Sequence, residues 1–195
     1  MPGGQERLDQ ADIARATLIE CGYDRIGLDH FAKPDDAMAR AQKAGTLRRN
    51  FQGYTADPAN ILIGFGASSI GSFTSGFVQT EPNVKKYREA IFEGRLPIVR
   101  GLEFTRNDNL VGSVIEKLMC NFEIDLNGFD RDAGATNDRF LPALTALQPL
   151  QEDGLVEITG ARLRVTETGK PYIRNIAACF DEYWETSNAR HSRAV

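Results

Sequence analysis

The chain has 195 residues, 42% hydrophobic and 26% charged, with a formal net charge of −4 at pH 7. That length is enough to bury a core in one large or two small domains, while no apolar run is long enough for a membrane span. An acidic balance argues against a polyanionic partner, because nucleic-acid affinity draws on neutralised phosphates.

Met1 to Gln5 has no basic head and no apolar stretch, so it does not read as a signal peptide, and the cytoplasm is the expected location. From Gln5 to Cys21, Leu8, Ala11, Ala14, Leu18 and Cys21 recur at helical spacing, and Gly22 stops the helix. Tyr23 to Phe31 reads as a short strand with Ile26 and Leu28 on one face. Pro34 opens a second helix through Met38 and Ala41 that ends at Gly45. A loop rich in glycine and aromatics runs from Arg49 to Thr55, and Ile61 to Phe65 is an apolar run of buried-strand length. This succession is the rhythm of an α/β layer structure. With so few strands the sheet has an open edge, which suggests that part of the domain is missing.

Pro82 starts another helix, past Tyr87 and Ile91 to Gly94. After Gly101 the pattern changes. Thr105-Arg106-Asn107-Asp108 resembles a capping box. Behind it Leu110, Val111, Val114, Ile115, Leu118, Met119 and Phe122 keep helical period. A further helix begins near Asn137 with Phe140, Leu141, Leu144 and Leu147. Asp153-Gly154 then turns the chain into Leu155 to Ile158 and Arg162 to Val165, two alternating segments split by Thr159-Gly160, a hairpin signal. Thr166 caps a last helix bearing Ile173, Ile176, Ala177, Phe180 and Trp184. Together these predict a small winged-helix-like domain from about Leu102 to Thr186, followed by a tail, 187–195, with little to bury.

The cysteines Cys21, Cys120 and Cys179 lie far apart, which suits neither the close-spaced ligand pairs of structural zinc nor the thiolates of an iron–sulfur cluster. An odd count without an export signal also argues against a disulfide framework. Small buried hydrophobes are the expected role.

The densest group of chemically able side chains is Arg49-Asn50-Phe51-Gln52-Gly53-Tyr54-Thr55. Phe51 and Tyr54 can flank a flat ligand while Asn50 and Gln52 bond its polar edge; equally, the segment can be a hairpin whose aromatics plug the end of a domain. Gly64-Phe65-Gly66-Ala67-Ser68-Ser69-Ile70-Gly71 is a glycine-rich turn that lets a ligand approach the backbone. Ser69 stands where a dinucleotide fingerprint has glycine, and no Lys-Ser or Lys-Thr pair makes a P-loop. Asp29-His30-Phe31 closes the first predicted strand, where Asp29 can orient His30 for proton transfer, although a strand-end histidine is more often structural. His191, in the tail, carries no expected role. Arg162, Arg164, Lys170 and Arg174 are basic, but the preceding helix has Asp138 and Arg139 at its start, Glu152 and Asp153 at its end and no lysine, so a DNA-reading role is disfavoured.

Several of these segments closely resemble the oxygen-independent coproporphyrinogen III oxidases of the radical S-adenosylmethionine (SAM) superfamily. They are Gly22-Tyr23, Ile26 to Ala32, Arg49 to Thr55, Gly64 to Ile70, Leu118-Met119-Cys120-Asn121-Phe122, Asp153-Gly154-Leu155, Arg174-Asn175-Ile176 and the ending Arg193-Ala194-Val195. The phrase Arg-Asn-Phe-Gln-Gly-Tyr-Thr is the most specific of them. The resemblance covers essentially the whole chain and implies an α/β fold. Residues 1–100 would be the last strands and helices of an incomplete (β/α) barrel, and 101–195 a mostly α-helical, winged-helix-like C-terminal domain.

It also implies the reaction: oxidative decarboxylation of two propionates of coproporphyrinogen III to vinyl groups, giving protoporphyrinogen IX in haem biosynthesis. SAM and a [4Fe–4S] cluster are the family's cofactors. The cluster-binding Cys-x-x-x-Cys-x-x-Cys motif does not occur here, so the chain is expected to be a C-terminal portion, inactive alone. It would lack the N-terminal barrel half, the metal ligands and any catalytic residue. Ile70 matches a SAM-contacting position, and Phe51 and Gln52 match positions that touch a second SAM. Two departures stand out: Gln79-Thr80 replaces Gln-Asn, and Leu110-Val111-Gly112 replaces a more basic stretch, which leaves the retained Arg100-Gly101 either to serve the substrate's carboxylates or to cap the domain junction. The expected partners are coproporphyrinogen III and SAM, with no nucleic acid and no membrane, in a complete protein that is monomeric. The alternatives are a non-catalytic porphyrin- or haem-binding module and a winged-helix nucleic-acid-binding protein.

Overall fold

The computed structural model describes residues 3–129 and 137–184. They divide into two compact units, one drawn from Met1–Arg49, Tyr54–Ala56 and Val111–Val195, the other from Asn50–Gly53 and Asp57–Leu110. The expectations placed on Met1, Pro2, His191, the 187–195 tail and its Arg193-Ala194-Val195 ending lie outside the described residues, as does the side chain of Asp138.

In the first unit, helix α1 (Gly4–Glu20) ends at a Cys21 cap and buries none of its residues. Cys21 is exposed, against the expectation of a buried thiol, because it caps a helix that is not packed into the core. The predicted strand Tyr23 to Phe31 is instead a tight antiparallel hairpin, β1 (Asp24–Ile26) and β2 (His30–Ala32), with Ile26 opposite His30. The reversal is possible because Gly27 has φ +56; a Cβ there would also lie 2.0 Å from the Tyr54 ring. Helix α2 (Ala37–Lys43) starts one turn later than Pro34, at Asp36, whose side chain accepts from the Met38 N–H. The Arg49–Thr55 segment takes the hairpin form, β3 (Arg48–Asn50) and β4 (Gly53–Thr55).

The second unit is built on an antiparallel sheet that the sequence does not announce: β5 (Ile70–Phe73), β6 (Gly76–Thr80) and β7 (Ile98–Glu103), in that order. Gly76 opens β6 where a Cβ would lie 2.1 Å from the Leu102 carbonyl oxygen, so the two strands can approach only at a glycine. The predicted buried strand Ile61 to Phe65 is not one. The chain turns back after it, a single residue, Leu62, pairs with Ser72, and Ile61, Ile63 and Phe65 face outward, Phe65 with 88% exposure. Between β6 and β7 lies α3 (Val84–Phe92), whose Asn83 side chain accepts from the Lys85 and Lys86 N–H groups. All six residues of β7 are exposed.

Helix α4 (Arg106–Asn121) begins with the predicted reciprocal cap. Asp108 N–H donates to Thr105 Oγ1 (3.1 Å), and Thr105 N–H donates to Asp108 Oδ2 (2.8 Å). It stops at Phe122, which takes φ +60 and keeps its ring buried near the Arg25 guanidinium and the Lys170 ammonium. Strand β8 (Glu123–Asp125) follows, then 3₁₀ turns at Leu126–Phe129 and Asn137–Phe140, α5 (Leu141–Ala146) and α6 (Gln148–Glu152). The predicted hairpin is present as β9 (Val156–Thr159) and β10 (Arg162–Val165), and β8 adds to it in the order β8-β10-β9. The last helix is shorter than its apolar stripe. A 3₁₀ turn at Lys170–Tyr172 leads into α7 (Ile173–Ala178), and Trp184 lies beyond it, half exposed. Thr166 holds a turn rather than a helix cap, its hydroxyl donating to the Gly154 carbonyl and accepting from the Gly169 N–H.

This C-terminal region is a helical layer on a small sheet, with Leu118, Leu126, Leu147, Leu163, Ile173 and Ile176 fully buried. A second cluster, Ile26, Ala32, Ala39, Ala41, Leu47, Tyr54 and Cys120, joins the two N-terminal hairpins to α2 and α4. The pairings β1–β2, β5–β6–β7 and β8–β10–β9 are all antiparallel, whereas a (β/α) barrel is built from parallel ones.

Candidate functional site

The β3–β4 hairpin is anchored at its base. Arg48 Nε and the Arg49 N–H both donate to Glu116 Oε1, at 2.8 and 3.0 Å. Tyr54, 7% exposed, accepts from the Leu28 N–H and donates to the Met119 carbonyl, both at 3.0 Å. The His30 ring meets Tyr54 edge-on, and the Arg49 guanidinium lies 4.9 Å from the Tyr54 ring centroid. Burial pushes the Tyr54 phenol above its ordinary pKa, so it stays a neutral donor. Tyr54 therefore plugs the core and does not flank a ligand beside Phe51. Asn50 is also committed, its Oδ1 accepting from the Gln52 N–H to close the turn.

That leaves Phe51 and Gln52 at the hairpin tip, within the second unit. Both are exposed, Phe51 at 51%. The Phe51 ring packs edge-to-face on Phe77 (centroids 4.7 Å, 78°), and Phe77 does the same on Phe104 (4.5 Å, 90°). Phe77 lies in β6 two residues from Gln79, which is directly opposite Ile70 in β5 and Arg100 in β7. Directly paired residues project to one side of a sheet, as do residues two apart along a strand. Phe51, Phe77, Gln79, Ile70 and Arg100 thus share one face of the β5–β6–β7 sheet.

The glycine-rich turn ahead of Ile70 is held by its own neighbours. Thr80 Oγ1 donates to the Gly66 carbonyl at 2.7 Å and lies 3.0 Å from Ser69 Oγ. Gly66 N–H donates to Tyr87 Oη, and Ser68 N–H, at a residue with φ +63, donates to the Glu81 carbonyl. With those donors engaged the turn is not a phosphate nest. It sets the start of β5, and Thr80, one of the two departures from the family pattern, is the residue that fastens it.

Asp29 sits in the β1–β2 turn and His30 opens β2, a reversal of the strand-end placement the sequence suggests. Asp29 Oδ1 lies 2.8 Å from His30 Nδ1, both side chains are substantially exposed, and the remaining ring contact is Tyr54. The pair belongs to the first unit, and the β5–β6–β7 sheet to the second.

Among the described residues no three His, Cys, Asp or Glu side chains are grouped to hold a metal. Cys120 is 1% exposed, and burial pushes its thiol up to about 12, so it does not suit a thiolate ligand. Burial also raises Cys179, which donates to the Asn175 carbonyl. These cysteines do not fit an iron–sulfur cluster.

Residues 104–172, which hold most of the C-terminal helices and the β8-β10-β9 sheet, match the family described as the HemN C-terminal domain. The likeness extends over the full chain. It is 43% identical to the oxygen-independent coproporphyrinogen III oxidase of Bradyrhizobium diazoefficiens and 42% to that of Paracoccus denitrificans, each match covering 100% of this chain and 43% of the relative. The solved structure of coproporphyrinogen III oxidase (HemN) from Escherichia coli, described as a radical SAM enzyme, superposes with a TM-score of 0.87 at 39% identity, over 93% of this chain and 42% of that one. In sequence and in fold the chain is similar to the C-terminal portion of the oxygen-independent coproporphyrinogen III oxidases, and it spans less than half their length.

Phe77 and Phe104 joined the face without any sequence expectation attached to them. The signal was available: Phe73-Thr74-Ser75-Gly76-Phe77 places small turn residues between two alternating runs.

Proposed function

We propose that this chain supplies one wall of a SAM-binding site in oxygen-independent coproporphyrinogen III oxidation, the conversion of coproporphyrinogen III to protoporphyrinogen IX. The observation that carries the reading is the convergence of Phe51 and Ile70 on a single sheet face through Phe77 and Gln79, separate motifs that the fold brings together. That face has the chemistry SAM requires. A half-exposed aromatic edge and an aliphatic side chain accept the apolar part of a nucleoside, and the Gln52 and Gln79 amides bond polar edges. Ile70 is the residue that would contact one SAM, and Phe51 and Gln52 those that would touch a second. When bound and reduced by one electron from outside this chain, SAM would supply the radical that removes hydrogen from the substrate's propionates; this chain's residues would bind, orient and exclude water.

The full reaction needs a [4Fe–4S] cluster, and no step through it is assigned to this chain because its described cysteines do not fit one. Residues 1–100 are read as the closing segments of the barrel and 101–195 as the winged-helix-like C-terminal domain, of a protein that is cytoplasmic, monomeric when complete and does not bind nucleic acid. No helix among the described residues is long and apolar enough to cross a membrane.

The test is reconstitution in trans. The purified chain, treated anaerobically with iron, sulfide, a one-electron reductant, SAM and coproporphyrinogen III, is expected to develop no cluster absorbance and no protoporphyrinogen. Mixed with the N-terminal part of the Bradyrhizobium relative it is expected to restore product formation, and Phe51→Ala is expected to abolish that restoration. Product from the chain alone, or full restoration by the Phe51→Ala variant, would overturn the reading.

A further inference from the structure

The β5–β6–β7 face carries a cation that the SAM reading does not use. Arg100 stands opposite Gln79, which stands opposite Ile70, so the three side chains step across adjacent strands on one side of the sheet. Strands lie about 4.8 Å apart, which puts Arg100 about 10 Å from Ile70 at the backbone. Along that face Ile70, Ser72, Phe77, Gln79 and Leu102 are uncharged, and Arg100 is exposed. Glu103 is three positions along β7 and projects to the other side. The Glu81 carboxylate, the next acidic group in sequence after β6, accepts from the Asn83 N–H and closes the turn into α3. The Arg100 guanidinium has no hydrogen-bond or ion-pair partner among the described residues.

We infer that Arg100 is a substrate-carboxylate-binding residue, taking one propionate of a porphyrinogen whose macrocycle lies along the apolar row. The inference rests on the functional reading above. A guanidinium presents a planar fork of donors that matches a carboxylate in two parallel hydrogen bonds, a geometry an ammonium cannot reproduce. The complement of a lone fork beside aromatic and aliphatic side chains is an apolar body with a carboxylate on its rim. Position selects between the two ligands of the proposed reaction. Phe51, Gln52 and Ile70 hold SAM at the hairpin tip and β5, whereas Arg100 lies on β7, the strand on the far side of β6.

The experiment titrates the 195-residue chain and its Arg100→Met, Arg100→Lys and Phe51→Ala variants with coproporphyrin III, the air-stable tetra-acid counterpart. The coproporphyrin III tetramethyl ester is titrated in parallel, both followed by porphyrin fluorescence, and SAM is titrated by calorimetry. Loss of a charge-assisted hydrogen-bonded pair is expected to raise the tetra-acid Kd about tenfold in Arg100→Met and about threefold in Arg100→Lys. The ester is expected to bind the parent and both Arg100 variants equally, and Phe51→Ala to weaken SAM. Parent-like tetra-acid binding by Arg100→Met overturns the role of Arg100, as does an equal loss for the ester. A loss confined to SAM assigns the guanidinium to the wrong ligand and also overturns it. Absence of porphyrin binding by the parent chain does the same. In each of these cases a SAM loss in Phe51→Ala still supports the functional reading, and its absence counts against that reading separately.

Discussion

Replacing Tyr54 by phenylalanine keeps the ring that fills the N-terminal core and removes one oxygen. That oxygen accepts from the Leu28 N–H and donates to the Met119 carbonyl, each at 3.0 Å. Met119 lies in the last turn of α4, where carbonyls have no partner within the helix, so the hydroxyl satisfies an acceptor the helix itself cannot. A buried group left unpaired costs about 1–3 kcal/mol. Leu28 is half-buried and regains some hydration, so the combined loss is expected at about 2–3 kcal/mol. Urea unfolding followed by far-UV circular dichroism measures it as a lower midpoint at unchanged slope. The pH dependence gives an independent reading. Burial raises the Tyr54 pKa in the folded state, so its contribution is whole below the ordinary tyrosine value and is lost as pH rises through the folded value. Tyr54→Phe should lack that alkaline component. A loss under about 0.5 kcal/mol, where surface changes fall, would refute the bridging role.

Three further outcomes follow from neighbouring features. Gly27→Ala forces a Cβ to within 2.0 Å of the Tyr54 ring at φ +56, and is expected to cost more than about 3 kcal/mol or to prevent folding, as read by the same urea titration. At pH 8 a thiol-specific chromophore should label exposed Cys21 first and Cys179 more slowly, and reach Cys120 only on unfolding. Cys120 stabilisation is whole below the ordinary thiol pKa and is lost as pH rises toward about 12, so Cys120→Ala should flatten that alkaline decline. Thr105→Ala removes one half of the reciprocal cap on α4 and should lower stability by about 1 kcal/mol, whereas Thr105→Ser should retain most of it.

Helices were the legible part of this chain, because their signals are local. Gly22, Gly45 and Gly94 stop α1, α2 and α3 near where the sequence places them, and Thr105 with Asp108 starts α4 as its spacing predicts. Strands were legible only where a turn signal lay between alternating runs, as at Thr159-Gly160. The Tyr23–Phe31 segment misled because Gly27 reverses the chain, and nothing short of the Tyr54 ring arriving from 27 residues away explains why it must be glycine. Ile61 to Phe65 has the composition of an interior strand but finds a single backbone pair, so composition and pairing disagree and pairing decides. Phe51 and Gln52 stood out by residue type in the Arg49–Thr55 segment, and all three of Phe51, Gln52 and Ile70 became candidates for SAM only through family resemblance. Their shared face was not visible, since it depends on the register of β5 on β6 and on a ring, Phe77, that no motif marks. Tyr54 and Phe51, alike in the sequence, separate because Tyr54 lies in β4 with its ring buried, whereas Phe51, three residues earlier, lies in the turn and is half exposed.

Strand β7 has a consequence for the chain as a material. It pairs on one side with β6, its six residues are exposed, and Ile98, Val99 and Leu102 make it apolar. Natural sheets protect such margins with charge, proline, bulges or cover, because a bare row of amides and carbonyls templates whatever strand reaches it first. Within β7 the charged residues are Arg100 and Glu103. The chain will therefore be sensitive to its own concentration. A strand from another copy can add to that edge, and dilution is expected to limit such pairing.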